Sequence, residues 1–399
     1  MNLDDIQIFH DSHNIQLRNP FGAVTIGTKV RIRIWTSKKC SVYINLINFY
    51  NNQVEVQMNE IGWNGYVNSW VYENEIDTSN CFGLIYYYFR VNYCGRNILY
   101  GNNIESLGGE GQTYFNDPKS YQITIYSNEK VPNWYKKGII YQIFVDRFFN
   151  GNKEGKVLNP KKNTFIYGKW DDDPMYIKDE QGNIVRWDFY GGNLLGVKKK
   201  LKYIKSLGVS TIYLNPIFDS PSCHKYDTGD YEKIDPMFGD EEIFKELCSE
   251  AEDLGMRIIL DGVFSHTGSD SKYFNKFGNY NSLGAYQSLE SPYYRWYRFN
   301  DYPKLYEAWW GFSNMPNVDE LNPSYLDYII RNNNSIIEKW LKLGASGWRL
   351  DVADELPDEF IKILKKKLKE VKAEGVLIGE VWEDASNKYS YNRRREYLF

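Results

Sequence analysis

The second half of this 399-residue chain alternates continuous apolar runs with segments whose apolar residues recur every three or four positions. The runs lie at residues 138–145, 209–214 and 257–263, and two further runs end at Asp351 and Glu380. A strand that is apolar on both faces needs cover on both faces, whereas the segments between have the period of helices with one apolar face. This alternation predicts an α/β domain built on a parallel sheet.

Residues 1–126 follow a different pattern, in which apolar and polar residues alternate over short segments. Val30 and Ile32, for example, are separated by a charged residue, and clusters of Asn and Gly end such segments. Several short strands with turn signals between them predict a β-sandwich. Residues 127–134, which include a proline, predict a linker, and residues 135–399 then form the second domain.

Charge and cysteine usage narrow the class of protein. The formal net charge is −4, with Lys and Arg interspersed among Asp and Glu, which argues against a nucleic-acid or membrane-surface partner. Five cysteines without framework spacing, no signal-peptide character and no long apolar stretch predict a soluble, reduced, cytoplasmic protein. The 34 Tyr and 12 Trp fit sugar stacking, but a β-rich core would also use them.

Polar side chains follow the apolar runs in succession, at the carboxyl ends of the predicted parallel strands. Such ends meet at one edge of a sheet, so we expect these side chains to share a site. Two acids at neighbouring strand ends suit glycosidic bond cleavage, in which one carboxylate attacks the anomeric carbon and the other acid protonates the leaving oxygen. The candidates, in chain order, are His224, Tyr226, Asp261, His266, Arg349, Asp351 and Glu380.

The chemistry predicts a role for each acid. Asp351 must be ionised to act as the nucleophile, and Arg349, two residues earlier on the same face of the strand, is expected to keep the pKa of Asp351 low. Glu380 must hold a proton at neutral pH, which requires a less polar setting or a neighbouring negative charge. Arg349 and Asp351 could instead form a structural ion pair, and a glutamate after an apolar strand is usually a helix cap.

The remaining candidates would bind substrate. His224 and His266 would donate hydrogen bonds to hydroxyl groups of a bound sugar, and Tyr226 would stack beneath that sugar. Asp261 belongs to the same set because it lies among the last residues of the neighbouring apolar run. A lone histidine is more often a satisfied core or surface residue than a catalytic one. It is the combination of these residues at successive strand ends that favours the functional interpretation.

These segments resemble the α-amylase family of glycoside hydrolases, in the branch that contains neopullulanase, cyclomaltodextrinase and maltogenic amylase. Residues 261–266 match the family's first conserved motif, and residues 347–351 match its nucleophile motif. Gly379-Glu380 matches the acid motif, and residues 224–231 resemble an additional motif that precedes the second barrel helix. The order and the spacing of the motifs both agree with this family.

The resemblance covers about residues 135–399 and implies a (β/α)8 barrel with a small domain B at about residues 265–322. It implies retaining cleavage of α-1,4 and sometimes α-1,6 glucosidic bonds in maltodextrin, cyclodextrin or pullulan. Trp309 and Trp310 would line the cleft, although a core role is equally open. The β-rich region resembles the Ig-like sandwich of this branch, often regarded as an α-glucan-binding module. The implied partners are an α-glucan oligosaccharide or polysaccharide and, in a homodimer, a second copy of the chain.

The resemblance implies no required cofactor, but this branch commonly holds a calcium ion in the loop after the first strand. The corresponding candidate ligands here are Asn150, Asn152, Gly191 and Asn193. Calcium prefers several carboxylate oxygens, whereas this set offers mostly neutral amides. These residues therefore favour a loop without metal, and a calcium site is the alternative.

Two further departures concern the catalytic site. Ser265 stands where the first motif usually has Asn. The family's His-Asp motif after the seventh strand finds no match, because the four histidines are His10, His13, His224 and His266. About five of the eight barrel strands can be placed, so we expect an incomplete barrel. Three interpretations stay open: a hydrolase, a transglycosylase of the same family, and a truncated member that at most binds α-glucan.

Overall fold

A computed structural model describes residues 6–48, 52–127, 131–162, 164–182 and 184–382. These residues fall into two compact units, of which the second holds residues 131–380 and the first holds the rest. The predicted linker and the predicted barrel domain both extend outside the described residues, the first at residues 128–130 and the second at residues 383–399.

The first unit consists of strands in its described part. They are β1 (Ile8–Phe9), β2 (Arg18–Asn19), β3 (Val24–Thr25), β4 (Lys29–Thr36), β5 (Ser41–Asn48), β6 (Gln53–Gln57), β7 (Asn59–Asn64), β8 (Ser69–Asp77), β9 (Gly83–Tyr93), β10 (Arg96–Gly101), β11 (Gln112–Tyr114) and β12 (Tyr121–Tyr126). One sheet has the order β1-β4-β8-β7, with β2 also paired to β4. The other has the order β11-β10-β9-β12-β3, with β5 paired to both β9 and β6.

Alternation along these strands explains how the two sheets pack. In β4, Val30, Ile32 and Ile34 are fully buried, and the residues between them are partly exposed. In β5, which belongs to the other sheet, Val42 and Ile44 are buried in the same alternating way. All of these side chains belong to one apolar cluster, so the two sheets share a core.

The second unit combines strands and helices. Its strands are β13 (Ile140–Ile143), β14 (Thr164–Ile166), β15 (Ile177–Lys178), β16 (Ile184–Phe189), β17 (Thr211–Leu214), β18 (Phe218–Asp219), β19 (Asp230–Ile234), β20 (Arg257–Gly262), β21 (Phe299–Asp301), β22 (Leu305–Tyr306), β23 (Gly347–Leu350) and β24 (Val376–Gly379). Its α-helices are α1 (Asn133–Lys136), α2 (Leu194–Ser206), α3 (Glu241–Asp253), α4 (Pro323–Leu326), α5 (Ile336–Lys342) and α6 (Asp358–Val371), and a π-helix (Asp327–Arg331) follows α4. Short 3-10 helices lie at Val145–Arg147, Lys153–Gly155, Tyr294–Trp296 and Trp309–Gly311.

Five parallel strands form the central sheet of this unit, in the chain order β13-β17-β20-β23-β24. Helices α2, α3, α5 and α6 lie in the four connections between successive strands. Their apolar faces join the strands in one large core. Because every strand of this sheet is parallel, all of its carboxyl ends lie at the same edge, where the predicted site residues fall.

Side-chain caps fix where two of the covering helices begin. The Asn193 side chain accepts a hydrogen bond of 2.8 Å from the Gly196 N–H at the start of α2. The Asp240 side chain accepts one of 2.9 Å from the Ile243 N–H at the start of α3. Each cap satisfies a backbone donor that the first helical turn leaves unpaired. Among the described residues, no helix has both the length and the apolar character needed to cross a membrane.

Three connections at the carboxyl edge carry additional strands. The connection from β13 to α2 contains a small sheet of order β14-β16-β15. The connection from β17 to α3 contains the antiparallel pair β18-β19, and the connection from β20 to α4 contains the pair β21-β22. These segments bring further side chains to the edge of the central sheet where the candidate residues lie.

Candidate active site

Four candidate residues lie at the carboxyl edge of three neighbouring strands. Asp261 belongs to β20 and Arg349 to β23, and the two residues pair in the register of these strands. Asp351 follows β23 directly, and Glu380 follows β24 directly. The parallel register therefore gathers residues that are far apart in the sequence.

The guanidinium group of Arg349 contacts three carboxylates. Its Nη1 atom lies 2.8 Å and 3.0 Å from the two carboxylate oxygens of Asp261, and 3.0 Å from Asp351 Oδ1. Its Nη2 atom lies 2.6 Å from Glu380 Oε2. One positive charge thus faces three acidic groups, so the cluster has excess negative charge unless some of these groups hold protons.

Burial dominates the pKa values of two of these acids. It raises the pKa of Asp351 to about 8, with a further rise from the Asp261 carboxylate and an opposing effect from Arg349. It raises the pKa of Asp261 to about 6, again against Arg349. The prediction that Arg349 keeps the pKa of Asp351 low is therefore wrong. Burial among other acids outweighs one guanidinium group that three carboxylates share.

The turn after β23 supplies a backbone donor to Glu380. The Val352 N–H donates a hydrogen bond of 2.9 Å to Glu380 Oε2. Val352 has a φ of 40°, in the left-handed region that β-branched residues rarely adopt. Strain of this kind persists where the surrounding structure requires it, and it is frequent at functional sites. Here the strained turn orients an N–H group toward the predicted acid.

Two tyrosines donate hydrogen bonds to Asp261. The Tyr226 hydroxyl lies 3.1 Å from Asp261 Oδ2, and the Asn215 side-chain amide donates to that hydroxyl at 3.1 Å. Tyr213, in β17, donates to the same carboxylate oxygen. Tyr213 is absent from the sequence-based candidates. The sequence gives one indication of this residue: Tyr213 is a hydroxyl-bearing residue in an otherwise apolar strand, two positions before Asn215.

The two predicted histidines differ in what they can donate. The Tyr226 N–H donates to His224 Nδ1 at 3.1 Å, so the proton of the neutral His224 ring lies on Nε2. Burial lowers the pKa of His224, which keeps the ring neutral. His224 can therefore act as a donor from Nε2, and its hydrogen bond to a sugar hydroxyl stays a prediction.

His266 uses its ring nitrogens inside the protein. Its Nε2 lies 3.1 Å from the carbonyl oxygen of Tyr226, and its Nδ1 lies 2.9 Å from Ser265 Oγ. Burial lowers the pKa of His266 to about 4, so the ring carries one proton near neutral pH. Because a carbonyl oxygen only accepts, that proton lies on Nε2. The structure thus contradicts the prediction that His266 donates to the sugar and assigns it to holding the backbone of Tyr226.

A buried ion pair holds the segment that carries His224 and Tyr226. Lys225, between them, is fully buried and has a φ of 61°. Its Nζ lies 2.6 Å from Asp235 Oδ2, which Lys161 Nζ contacts at 2.5 Å. A buried charge is stable only when it is paired, so these contacts fix the backbone between the two predicted sugar-binding residues.

Trp309 and Trp310 form an aromatic surface beside His266. The ring centroids of Trp309 and His266 are 5.4 Å apart with near-parallel planes, and those of the two tryptophans are also 5.4 Å apart. Both indole N–H groups donate to Glu355, at 2.9 Å and 2.8 Å. Trp310 is 67% exposed, which excludes a core role for this residue. Phe312, which stacks on Trp309, is 54% exposed. Glu355 is absent from the sequence-based candidates. Its contact with Trp309 cannot be predicted from the sequence because the two residues lie far apart in the chain.

The predicted calcium ligands bond to one another and to backbone donors. Asn150 Oδ1 accepts from the Asn152 N–H at 2.9 Å and from the Asn193 side-chain amide at 3.0 Å. Asn193 Oδ1 accepts from the N–H groups of Gly151, at 3.1 Å, and Gly196, at 2.8 Å. The amide oxygens that would face a cation therefore face hydrogen-bond donors.

The surroundings of this loop also disfavour a cation. Lys199 Nζ lies 2.5 Å from the carbonyl oxygen of Gly151, so an ammonium group already occupies this side of the loop. Gly191 donates its N–H to Asp146, and the Asn152 side chain donates to a backbone carbonyl at 2.7 Å. The described ranges hold no group of three or more His, Cys, Asp or Glu side chains arranged for a metal. These residues do not fit the oxygen-rich site that calcium prefers.

Comparison with known proteins places these residues in a wider group. Residues 142–397 match the family model described as alpha amylase, catalytic domain. An amylopullulanase from Thermoanaerobacter thermohydrosulfuricus is 37% identical over 437 residues, which cover 99% of this chain and 29% of that protein. An intracellular maltogenic amylase from Bacillus subtilis is 36% identical over 260 residues, which cover 64% of this chain and 40% of that protein. The chain thus spans less than half the length of these relatives.

Solved structures with a similar fold include enzymes that act on glucans. The type III pullulan hydrolase from Thermococcus kodakarensis is 26% identical with a TM-score of 0.55, over 94% of this chain and 62% of that one. The cyclic alpha-maltosyl-(1-->6)-maltose hydrolase from Arthrobacter globiformis is 26% identical with a TM-score of 0.53, over 64% of this chain and 53% of that one. The match to the family model contains every candidate site residue described above.

Proposed function

Because the chain belongs to the alpha-amylase family of glycoside hydrolases, we propose that it cleaves α-1,4 and, in some substrates, α-1,6 glucosidic bonds of α-glucans with retention of configuration. The observation that carries the proposal is the placement of Asp351 and Glu380 on one guanidinium group, that of Arg349, at the ends of neighbouring parallel strands. Two acids at neighbouring strand ends suit a retaining mechanism, in which one carboxylate attacks the anomeric carbon and the other acid protonates the leaving oxygen.

In the first step, Asp351 attacks the anomeric carbon and the bond from that carbon to the leaving oxygen breaks. Glu380 gives its proton to the leaving oxygen, and a covalent glucosyl ester of Asp351 results. In the second step, Glu380 takes a proton from water, the resulting oxygen attacks the anomeric carbon, and Asp351 is released as a carboxylate. Arg349 and Val352 N–H, which contact these acids, hold them in position through both steps.

The reaction needs an ionised Asp351 and a protonated Glu380. In the free protein, burial raises the pKa of Asp351 to about 8, so the cluster holds a proton near neutral pH. Both acids contact Arg349. The reactive form is the one in which Glu380, and not Asp351, holds the proton.

The aromatic and polar groups around the acids support an α-glucan substrate. The Nε2–H of His224 would donate to a hydroxyl of the substrate, and Tyr226 is held by Asp261 and Asn215. The exposed face of Trp310 offers a stacking surface for a glucosyl ring. The names of the relatives, amylopullulanase, maltogenic amylase and cyclomaltodextrinase among them, support maltodextrin, cyclodextrin or pullulan as the substrate.

Two proposals about the whole protein follow from the family. The central sheet would supply five β/α units of a (β/α)8 barrel, with domain B formed by about residues 265–322. The first unit, with its two sheets around one core, would be an Ig-like module that binds α-glucan. Because the chain covers less than half of its curated relatives, these proposals concern a part of such an enzyme.

Turnover of maltodextrin and pullulan by the purified chain tests the proposed reaction. New reducing ends should form with wild-type protein and should be lost in both Asp351→Asn and Glu380→Gln. Proton NMR of the first products should show the α-anomer, as retention requires. Glu359→Gln, which changes an exposed carboxylate in α6, is the matched control and should keep full activity.

Two results would contradict the proposal. One is turnover that survives Asp351→Asn, and the other is a β-anomer as the first product. Retardation of the chain by amylose in an affinity gel, without turnover of either substrate, would assign it to glucan binding alone.

A further inference from the structure

The small sheet β14-β16-β15 is anchored to the rest of the second unit at both ends. Lys161, just before β14, lies 2.7 Å from Asp219 and 2.5 Å from Asp235. At the end of β16, Phe189 is fully buried in the main core of the unit. Although it lies within a long connection, β16 is therefore a fixed element from which a side chain can be presented with defined geometry.

Trp187 lies in β16, the middle strand of this small sheet, and pairs with Thr164 of β14. Its indole ring meets the ring of His224 edge-on, with centroids 5.0 Å apart and planes at 80°. Trp187 is partly exposed, whereas Phe189, two positions later on the same face, is fully buried. Phe189 therefore provides the apolar anchor, and Trp187 leaves part of its indole at the surface next to a proposed sugar-binding residue.

Trp187 and Glu380 belong to opposite ends of the strand order of the central sheet. Trp187 belongs to the connection after β13, the first strand of the central sheet, and Glu380 follows β24, the last. Tyr226 and Asp351 come from the strands between these two. In the proposed reaction the leaving sugar departs on the side of the acid, so the retained part of the glucan would extend away from Glu380, along the strand order that leads to Trp187.

We infer that Trp187 is a substrate-binding residue that stacks on the second glucosyl unit of the retained side, next to the unit that Asp351 attacks. The inference rests on the proposed function and adds to it a contact that sets the preferred length of the substrate. An indole ring offers a large apolar face with only two rotatable bonds, so little conformational entropy is lost when a sugar binds it.

The test compares two chromogenic substrates that differ by one retained glucosyl unit. With 4-nitrophenyl α-glucoside, cleavage retains one unit, and with 4-nitrophenyl α-maltoside it retains two. Trp187→Ala should lower kcat/KM for the maltoside about 10-fold, the size expected for one aromatic stacking contact, and change the value for the glucoside by less than about 2-fold. Trp187→Phe, which keeps an aromatic face, should recover most of the loss.

Trp170→Ala is the matched control. Trp170 lies in the same connection and is 47% exposed, but its ring contacts Tyr190, 5.7 Å away. This variant should show no selective loss on the maltoside. Equal losses on both substrates in Trp187→Ala would overturn the inference, because they would mean that Trp187 acts by positioning His224. The lack of any loss would overturn it too.

Failure of the proposed function gives a different pattern, in which wild-type protein turns over neither substrate. A binding measurement then tests Trp187 without turnover. Titration with maltotriose, followed by intrinsic fluorescence, should show binding that is about 10-fold weaker in Trp187→Ala than in wild-type protein. Equal dissociation constants for the two proteins, or no binding by either, would overturn the inference.

Discussion

Arg349 shares one positive charge among three acids, and the stability of the protein should depend on pH as a result. Burial raises the pKa of Asp351 to about 8, whereas an unfolded aspartate ionises near pH 4, roughly. Over the window between these values, the native state keeps a proton that the unfolded state releases. The contribution of this group to the free energy of unfolding therefore decreases as the pH rises from about 4 to about 8.

Asp351→Asn should consequently stabilise the protein at high pH while it abolishes activity. Above pH 8 the variant has no buried charge to ionise at this position, and we expect a gain in unfolding free energy on the order of 1–3 kcal/mol. Near pH 5 the wild-type side chain is protonated and the difference should nearly vanish. Urea unfolding at several pH values measures both. A variant that is no more stable than wild type at pH 9 would contradict this account of the cluster.

At the carboxyl edge, the positions of the Trp309 and Trp310 rings depend on the carboxylate of Glu355, which follows β23 in the chain. Glu355 accepts one indole N–H on each of its oxygens. Glu355→Gln leaves one oxygen and places an amide donor against the other indole, so one tryptophan loses its partner. We expect KM for long maltodextrins to rise about 5- to 10-fold with little change in kcat, together with a shift in tryptophan emission. Glu359→Gln, outside this contact, should leave both quantities unchanged.

The loop after β13 should be indifferent to calcium. Its amide oxygens accept hydrogen bonds from within the protein, and Lys199 contributes an ammonium group to the Gly151 carbonyl. Neither EDTA nor millimolar calcium should move Tm by more than about 1 °C, because a ligand stabilises only the state it binds. Lys199→Ala should lower the unfolding free energy by about 1 kcal/mol, and Lys202→Ala, on the exposed face of α2, should not. A clear rise of Tm with calcium would reverse this assignment.

The strands, and the positions of Asp351 and Glu380 at the ends of neighbouring strands, could be predicted from the sequence because both depend on local pattern. The apolar runs at residues 209–214 and 257–263 correspond to β17 (Thr211–Leu214) and β20 (Arg257–Gly262), which confirms those strand predictions. The contacts of Tyr213 with Asp261 and of Glu355 with Trp309 could not be predicted, because 48 and 46 residues separate the partners. The raised pKa of Asp351 could not be predicted for another reason. It depends on a balance between burial and nearby charges, and only the folded geometry determines that balance.

At the scale of the whole molecule, the two units should respond oppositely to acid. In the first unit, His10 is fully buried, with its ring nitrogens 2.6 Å from the Arg33 carbonyl oxygen and 3.1 Å from the Tyr87 hydroxyl. Burial lowers the pKa of His10 to about 3. Below a pH of roughly 6.5, His10 binds a proton in the unfolded state but stays neutral in the native state. The stability of this unit therefore decreases as the pH falls from about 6.5 toward 3.

Calorimetry between pH 7 and pH 4 should show that the thermal unfolding transitions of the two units move apart as the pH falls. The transition of the first unit should move to lower temperature on acidification, while protonation relieves the acid cluster of the second unit. His10→Phe should be less stable at pH 7 by about 1–3 kcal/mol, because it removes the ring nitrogens that contact the Arg33 carbonyl and the Tyr87 hydroxyl, but its stability should depend less on pH. His13→Phe, at an exposed position, should keep the wild-type pH dependence.

Lys225 and its partners also bear on how this protein can vary during evolution. Lys225 and Lys161 both contact Asp235, and neither Lys225 nor Asp235 is reached by solvent. Loss of one member would strand a buried charge, at a cost of several kcal/mol, whereas joint replacement by apolar residues of similar volume can be neutral. The three positions should therefore covary among homologous sequences. The segment with His224 and Tyr226 would then preserve its backbone through joint changes at three positions, none of which is itself a candidate for binding the sugar.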